Sequence, residues 1–368
     1  MTFYKSTQIQ SALKNPLYAS STILSKIKNL AMLDFRFLNG YSFLPDTIRI
    51  DLTYNCNLRC KLCFEFGKSA EELSSIPRNE EINFGQLKHF LLDVKSFYPT
   101  IYLSGGEPLL YSHILDLLDF LRQNRLYTLV NTNGVLLEGF ADQLVDTGVD
   151  KLVISIDGPE EIHDKNRGKT FKKIVKGIEK LNAKKKDERK PFPLIRINCL
   201  ITPFNFKVLE EVVNIARQLE VESLSFQHPM FATDERKNEK SSEGSIDILG
   251  YVYEGEINPD ILLQQMNKIA AIRVPFKKYF YPSVPREHIR EYYNDINYPF
   301  KKACLTPWRK LMLTPSGDIG PCVHYPIANL SSKSFNDIWN SKDYRKFRNS
   351  IRKAGLFKNC VRCCLREY

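Results

Sequence analysis

No stretch of this 368-residue chain stays apolar for long; charges interrupt every hydrophobic run before the about 18 residues that crossing a bilayer requires. The first residues also lack the charged region, apolar core and small-residue cleavage site of a secretory signal. Both absences point to the cytoplasm, where reducing conditions keep thiols free. The nine cysteines therefore need an explanation other than disulfides, and clustered thiols in such a compartment point to metal or redox chemistry. Also missing are a nucleic-acid reading motif and an aromatic platform interleaved with basic residues. The formal charge of +11 lies largely in solvated runs such as 184–190, so an anionic substrate or partner is the milder expectation and nucleic acid is set aside.

What is present is ordinary globular material: 43% hydrophobic and 26% charged residues, enough for one barrel-sized core or a core with a small satellite. From residue 46 short apolar runs alternate with amphipathic stretches, the pattern of repeated βα units. Strands are expected at 47–52, 100–104, 127–131, 151–156, 195–201 and 223–226. Helices are expected near 83–97, 114–121, 138–147, 170–183 and 206–219. Parallel strands joined by helices close into a barrel or partial barrel, which gives an α/β fold over 46–230.

Three further segments flank that core: an N-terminal extension at 1–45, a bridging, substrate-facing segment at 231–300, and a small α+β unit at 301–368. The extension carries a basic amphipathic stretch at 21–35, read as a cap on the barrel. The bridging segment opens with a polar loop at 234–244 and continues through a helix at 259–271 and an aromatic-rich piece at 279–293.

Cys56, Cys60 and Cys63 follow the first strand with the spacing C-x3-C-x2-C. A cubane iron–sulfur cluster takes one thiolate per iron, so three ligands within eight residues leave one iron open. An open position is what a catalytic metal site keeps and a structural one closes. A zinc knuckle is the competing reading, but it needs a nearby fourth ligand, and the nearest histidine, His89, lies in a predicted helix. The spacing after an apolar run, with Leu62 before the third cysteine and Phe64 after it, resembles the signature of the radical S-adenosylmethionine (SAM) superfamily. That resemblance implies a partial (β/α)6 TIM-like barrel. It also implies a [4Fe–4S] cluster whose open iron chelates SAM and which cleaves it reductively to a 5′-deoxyadenosyl radical.

The strand ends downstream carry polar turns. Gly105, Gly106 and Glu107 end the second strand, where glycines permit close backbone approach and a carboxylate can accept from an ammonium group. Asn133 ends the third, Ser155 and Asp157 the fourth with Arg167 downstream, Asn198 lies on the fifth and Phe226 with Gln227 on the sixth. Each could be only a polar turn or a buried residue. By the family resemblance, Gly105, Gly106 and Glu107 bind the SAM amino group, and Asn133 and Asp157 belong to the same site. Ser155 and Arg167 approach the carboxylate, Asn198 the ribose, and Phe226 and Gln227 the adenine.

Cys304, Cys322, Cys360 and Cys363 make a second set, C-x12-G-x4-C followed by C-x2-C, and four thiolates suit either zinc or a fully ligated cluster. The hairpin at 314–322 and the segments at 334–339 and 344–348 make this region resemble the SPASM/twitch extension of radical SAM enzymes. The resemblance implies one auxiliary [4Fe–4S] cluster, with Cys364 an alternative to Cys363. Cys199 reads as a small buried hydrophobe. His163, His228 and His324 read as hydrogen-bonded turn or rim residues, and Tyr279 and Tyr281 as pocket walls.

The expected activity is hydrogen abstraction from a small polar or sugar-like molecule, an oxidation assisted by the auxiliary cluster and fed by a flavodoxin- or ferredoxin-like electron donor. A ribosomal-peptide maturase is the alternative substrate class, and a zinc- or cluster-stabilised binding scaffold the alternative of another kind.

Overall fold

A computed structural model describes residues 33–63, 79–230, 257–295, 304–322, 325–357, 360, 362 and 363. Phe64, the loop at 234–244, His324, Cys364 and most of the 21–35 stretch lie outside the described residues.

The six expected strands form: β1 (Thr47–Asp51), β2 (Thr100–Ser104), β3 (Thr128–Thr132), β4 (Lys151–Ser155), β5 (Leu194–Leu200) and β6 (Ser223–Gln227). Before them comes a short α1 (Leu33–Phe37). Between them run α2 (Phe84–Val94), α3 (Ile114–Gln123), α4 (Leu137–Asp146), α5 (Glu160–Arg167), α6 (Phe171–Asp187) and α7 (Leu209–Gln218). The helix starts have local causes where a cap is present: the Asn83 side chain accepts from Gln86 N at the start of α2. Every strand pair from β1 to β6 is parallel, with β1–β2 in register from Thr47 opposite Thr100 to Asp51 opposite Ser104.

The sheet is wider than the sequence pattern predicts. After α8 (Pro259–Ala271), residues Lys277–Tyr281 form β7, parallel to β6. After α9 (Ile289–Asn294) and α10 (Thr306–Arg309), residues Lys310–Leu313 form β8, which pairs parallel with β1. β9 (Asp318–Gly320) and β10 (Ala328–Asn329) extend the β8 edge antiparallel, and α11 (Phe335–Trp339) and α12 (Lys342–Ala354) follow. The resulting order, β10-β9-β8-β1-β2-β3-β4-β5-β6-β7, has two ends and is an open barrel.

Residue parity sorts the two faces of the sheet. Ile48, Ile50, Ile101, Leu103, Leu152, Ile154, Ile195, Ile197 and Leu224 are buried against the helices. The opposite parity, including Arg49, Tyr102, Asn131, Ser155, Asn198 and Ser225, faces the barrel interior and brings polar groups into it beside Leu129, Val153 and Met312. A second, smaller core of Trp308, Phe347, Ile351 and Phe357 lies in the C-terminal segment.

Candidate active site

A cavity of about 600 Å³ occupies the barrel interior. Cys60, Leu62 and Cys63 line it at the C-terminal ends of the strands, and Thr47, Thr100 and Lys310 line it at their N-terminal ends. The cysteine loop leaves the end of β1, the position where barrel folds build their chemistry.

The two glycines support that loop directly. A Cβ at Gly106 would lie 2.3 Å from the Asn55 carbonyl oxygen, and one at Gly105, where φ is +119°, would lie 2.7 Å from that of Thr53. Gly106 N donates to Thr53 O at 2.7 Å and Glu107 N to Asn55 O at 2.8 Å. The close approach that the Gly-Gly pair permits is therefore to the chain's own backbone just before Cys56, although Gly105 also lines the cavity.

Glu107 is fully buried and accepts from Leu109 N at 3.1 Å, Thr132 Oγ1 at 2.7 Å and Asn133 N at 2.8 Å. Burial pushes its carboxyl up to about 7 against the pull of those three donors. Two carboxylate oxygens offer about four acceptor positions, so one remains. Asn133 Nδ2 donates to Asn57 Oδ1 at 2.8 Å and lies 3.9 Å from Cys56 Sγ.

Arg167 reaches the same loop from α5, its Nη1 3.9 Å from Cys60 Sγ. Asp157 holds it there through Nε to Oδ2 at 2.6 Å and Nη2 to Oδ1 at 3.3 Å, and accepts further from Asn166 Nδ2 and Leu200 N. Burial would raise the Asp157 carboxyl, but the Arg167 guanidinium outweighs it and holds the group below the usual carboxylate range. Asp157 is expected as a cofactor contact; the structure instead makes it a buried anchor whose carboxylate is spent on Arg167, Asn166 and the β5 end.

Phe226 is a second correction. It has the parity of the buried face, is fully buried and stacks on Phe280 with centroids 5.0 Å apart. The β6 residues that line the cavity are Ser225 and Gln227, tied to Asn198 at 2.7 and 3.0 Å. Ser155, Arg167 and Asn198 do line it, as do Tyr279 and Tyr281 of β7.

His163 is buried, with Nδ1 accepting from Asp157 N at 3.2 Å and Nε2 3.1 Å from Thr170 Oγ1. His228, also buried, sets Nδ1 2.7 Å from the Tyr293 hydroxyl. Burial holds both imidazoles neutral, pushing His163 down to about 4 and His228 to about 3. Cys199 is fully buried on β5.

The donor set fits an iron–sulfur group. Burial pushes the Cys56 thiol up to about 11 and Cys60 also up, so bare sulfurs there stay protonated and a cationic metal is what holds them as thiolates. Asn133 and Arg167 aim N–H donors at two of the three sulfurs, the outer contacts that tune such centres. In the C-terminal segment Cys304, Cys322 and Cys360 all pack against the small core of Trp308, Phe347, Ile351 and Phe357. Arg362, between Cys360 and Cys363, is buried, lies 4.6 Å from the Tyr292 ring and donates from Nε to Tyr292 O at 2.8 Å. None of the eight described cysteines is in a disulfide.

Residues 50–217 match the radical SAM superfamily, and residues 304–364 match the iron–sulfur cluster-binding domain called SPASM. The chain belongs to the radical SAM enzymes that carry a SPASM domain. Its radical SAM domain binds SAM and a [4Fe–4S] cluster, and its SPASM domain binds auxiliary iron–sulfur clusters.

Among its relatives is the AdoMet-dependent heme synthase of Methanosarcina barkeri, 27% identical over 88% of this chain and 92% of the relative. Another is the tungsten-containing aldehyde ferredoxin oxidoreductase cofactor-modifying protein of Pyrococcus furiosus, 24% identical over 86% and 87%. In fold the chain is similar to Streptococcus suis SuiB bound to S-adenosylmethionine, with a TM-score of 0.62 at 16% identity over 89% of this chain and 72% of that one. It is also similar to anSMEcpe with bound AdoMet, with a TM-score of 0.59 at 18% identity over 83% and 80%. No helix among the described residues is long and apolar enough to cross a membrane.

Sequence reasoning missed Arg49, Tyr102, Arg196 and Lys310, all of which line the cavity. For Arg49 and Arg196 a signal existed: each is a charge flanked by isoleucines inside an apolar strand, the mark of an inward position in a barrel with a polar lumen.

Proposed function

We propose that the chain removes a hydrogen atom from a small polar molecule held in the barrel cavity and that the overall change is an oxidation. When bound, the first cluster with SAM supplies a 5′-deoxyadenosyl radical, and one auxiliary [4Fe–4S] cluster supplies an electron acceptor. Cys56, Cys60 and Cys63 would hold the first cluster and Cys304, Cys322, Cys360 and Cys363 the second. Arg167 and Asn133 orient the first loop through its sulfurs. Ser155, Asn198 and Gln227 face the cavity as hydrogen-bonding positions for SAM and substrate. Tyr279 and Tyr281 wall it and keep solvent from the reacting atoms.

The observation that carries this reading is the cavity itself, which runs from the cysteine loop to the barrel floor and sets polar and charged groups among apolar walls. A volume of about 600 Å³ shared with SAM leaves room for a small molecule rather than a folded partner. Two relatives aligned along most of their length are named as a heme synthase and a cofactor-modifying protein, which supports a small molecule over a ribosomal peptide. A flavodoxin- or ferredoxin-like protein of the cytoplasm would deliver the electron.

Anaerobic reconstitution tests the proposal. About eight irons per chain and 5′-deoxyadenosine on reduction are expected. Four irons with one zinc would remove the second cluster, and zinc alone would defeat the reading. Cys322→Ala is expected to lose the second cluster and product formation; a variant that kept both would overturn the role given to that cluster. Deuterium transfer from a labelled peptide, but from no small molecule, would move the substrate to the peptide class.

A further inference from the structure

The C-terminal thiol set grips a helix that leans on the cavity wall. α9 lies in the chain between β7 and Cys304, and the carbonyls of its last turn run short of partners inside the helix. Arg362 supplies them. Its Nε donates to Tyr292 O at 2.8 Å, and its Nη2 to Asp295 O at 2.5 Å and Glu291 O at 3.5 Å. The side chain is buried, and Cys363 N donates to Cys360 O at 3.2 Å. The residue that holds α9 therefore belongs to a turn closed between two of the thiols.

The same helix reaches the barrel. Tyr292 and Tyr293 pack on His228 with ring centroids 5.3 and 5.8 Å apart, and the Tyr293 hydroxyl lies 2.7 Å from His228 Nδ1. The Tyr292 hydroxyl donates to Pro229 O at 3.5 Å. His228 follows β6 directly, and its backbone N–H donates to Tyr281 O at 2.7 Å, stitching the ends of β6 and β7. Gln227 and Tyr281, at those two ends, both line the cavity. Among the described residues β7 closes the sheet order and pairs with β6 alone. Sheet pairing thus leaves this wall half-held, and α9 bears on it from outside.

We propose that Arg362 is a positioning residue that ties the filling of the second thiol set to the shape of the cavity. A metal group ligated by Cys360 and Cys363 pins their turn at both ends. Arg362 carries that order to α9, and Tyr292, Tyr293 and His228 carry it to the Gln227 and Tyr281 wall. This rests on the cavity being the site of SAM and substrate. A chain whose second site is empty then has a loosened wall and holds SAM weakly. Radical formation is held back until the electron acceptor is in place.

The test is hydrogen–deuterium exchange on the anaerobically reconstituted full chain, with iron content and the KM for SAM in reductive cleavage measured on the same preparations. Arg362→Gln is expected to keep about eight irons per chain. It should exchange at least tenfold faster in peptides covering 277–281 and 289–295, and raise the KM for SAM at least threefold with kcat within twofold. β1 to β4 should exchange as in the wild type. Arg362→Lys keeps the charge and loses the fork, and should move exchange and KM by at least twofold. Cys363→Ala should lose the second cluster's iron and reproduce the exchange pattern. Exchange at 277–281 or a KM for SAM unmoved by Arg362→Gln overturns the proposal. If that variant does not fold or loses the second cluster's iron, Arg362→Lys decides alone by the same two readouts. SAM added to the wild type should slow exchange at 194–200 and 223–227. Absence of that protection would defeat the cavity as the SAM site without any variant, so the two failures are told apart.

Discussion

The two cysteine regions are built in opposite ways. Cys56, Cys60 and Cys63 sit on one loop, and the groups that steady it come from strand and helix ends around the barrel. Cys304, Cys322 and Cys360 come from both ends of a segment and share only the small core of Trp308, Phe347, Ile351 and Phe357, with Cys363 three residues after Cys360. A local loop can present its ligands before the rest of the domain is finished. A dispersed set exists only when its own core has formed.

Each region also has a buried ion pair behind it and a buried histidine near it. Asp157–Arg167, at 2.6 Å, supports the first, and Asp34–Arg309, at 2.7 Å, ties α1 to α10 beside the second. His163 accepts from the Asp157 backbone, whereas His228 packs 5.3 Å from the Tyr292 ring that Arg362 covers from another side. The difference between the regions can be tested through these matched parts.

The largest expected effect is Cys60→Ala. It should remove about four irons per chain and lower reductive SAM cleavage by roughly a thousandfold or more, with the second cluster's iron retained. Iron and sulfide analysis with 5′-deoxyadenosine quantitation checks this, and loss of all iron would show that the regions are not independent.

Next come the ion pairs. Asp157→Asn and Asp34→Asn each leave a buried guanidinium uncompensated, at a cost of about 3–5 kcal/mol by denaturant titration. Only Asp157→Asn should also lower occupancy of the first cluster, because only Arg167 reaches a sulfur of that loop.

The third prediction concerns pH. Both histidines have folded values below the ordinary 6.5, so the unfolded chain binds more protons and stability falls as pH drops below 6.5. The loss continues to about pH 4 for His163 and about pH 3 for His228. It amounts to roughly 3–5 kcal/mol for each. His163→Gln should flatten the slope between 6.5 and 4 in stability measured against pH; an unchanged slope would remove His163 from the account.

The smallest effect belongs to Gly106→Ala. The added methyl meets the Asn55 carbonyl and should cost about 1–3 kcal/mol, with partial loss of the first cluster and an intact second one by iron analysis.

Much of this arrangement was legible in the sequence. Strands β1 to β6 lie within a residue or so of their expected limits, because each is an apolar run cut off by a polar turn. β7 and β8 were not foreseen: the first begins with two lysines, the second is four residues long, and both are specified by a neighbour far away in sequence. The site was readable by residue type but less so by direction. Phe226 and Gln227 are adjacent, and only the alternation of a strand decides which of them sees the cavity. Asp157 is placed at the site by the family resemblance of its strand-end segment, yet an arginine ten residues on, brought back by α5, engages its carboxylate.

The pairing of β8 with β1 has a consequence for how the protein is made. β1 leaves the ribosome roughly 260 residues before the strand that covers its outer edge, an interval of tens of seconds at ordinary elongation rates. Through that time the nascent barrel presents an unpaired parallel edge, the kind of surface that recruits other chains. Translation of the last segment therefore does two things at once: it seals that edge and delivers the final thiols. Stalling or proteolysis in that window would yield a chain that has its first cysteine loop and lacks its seam.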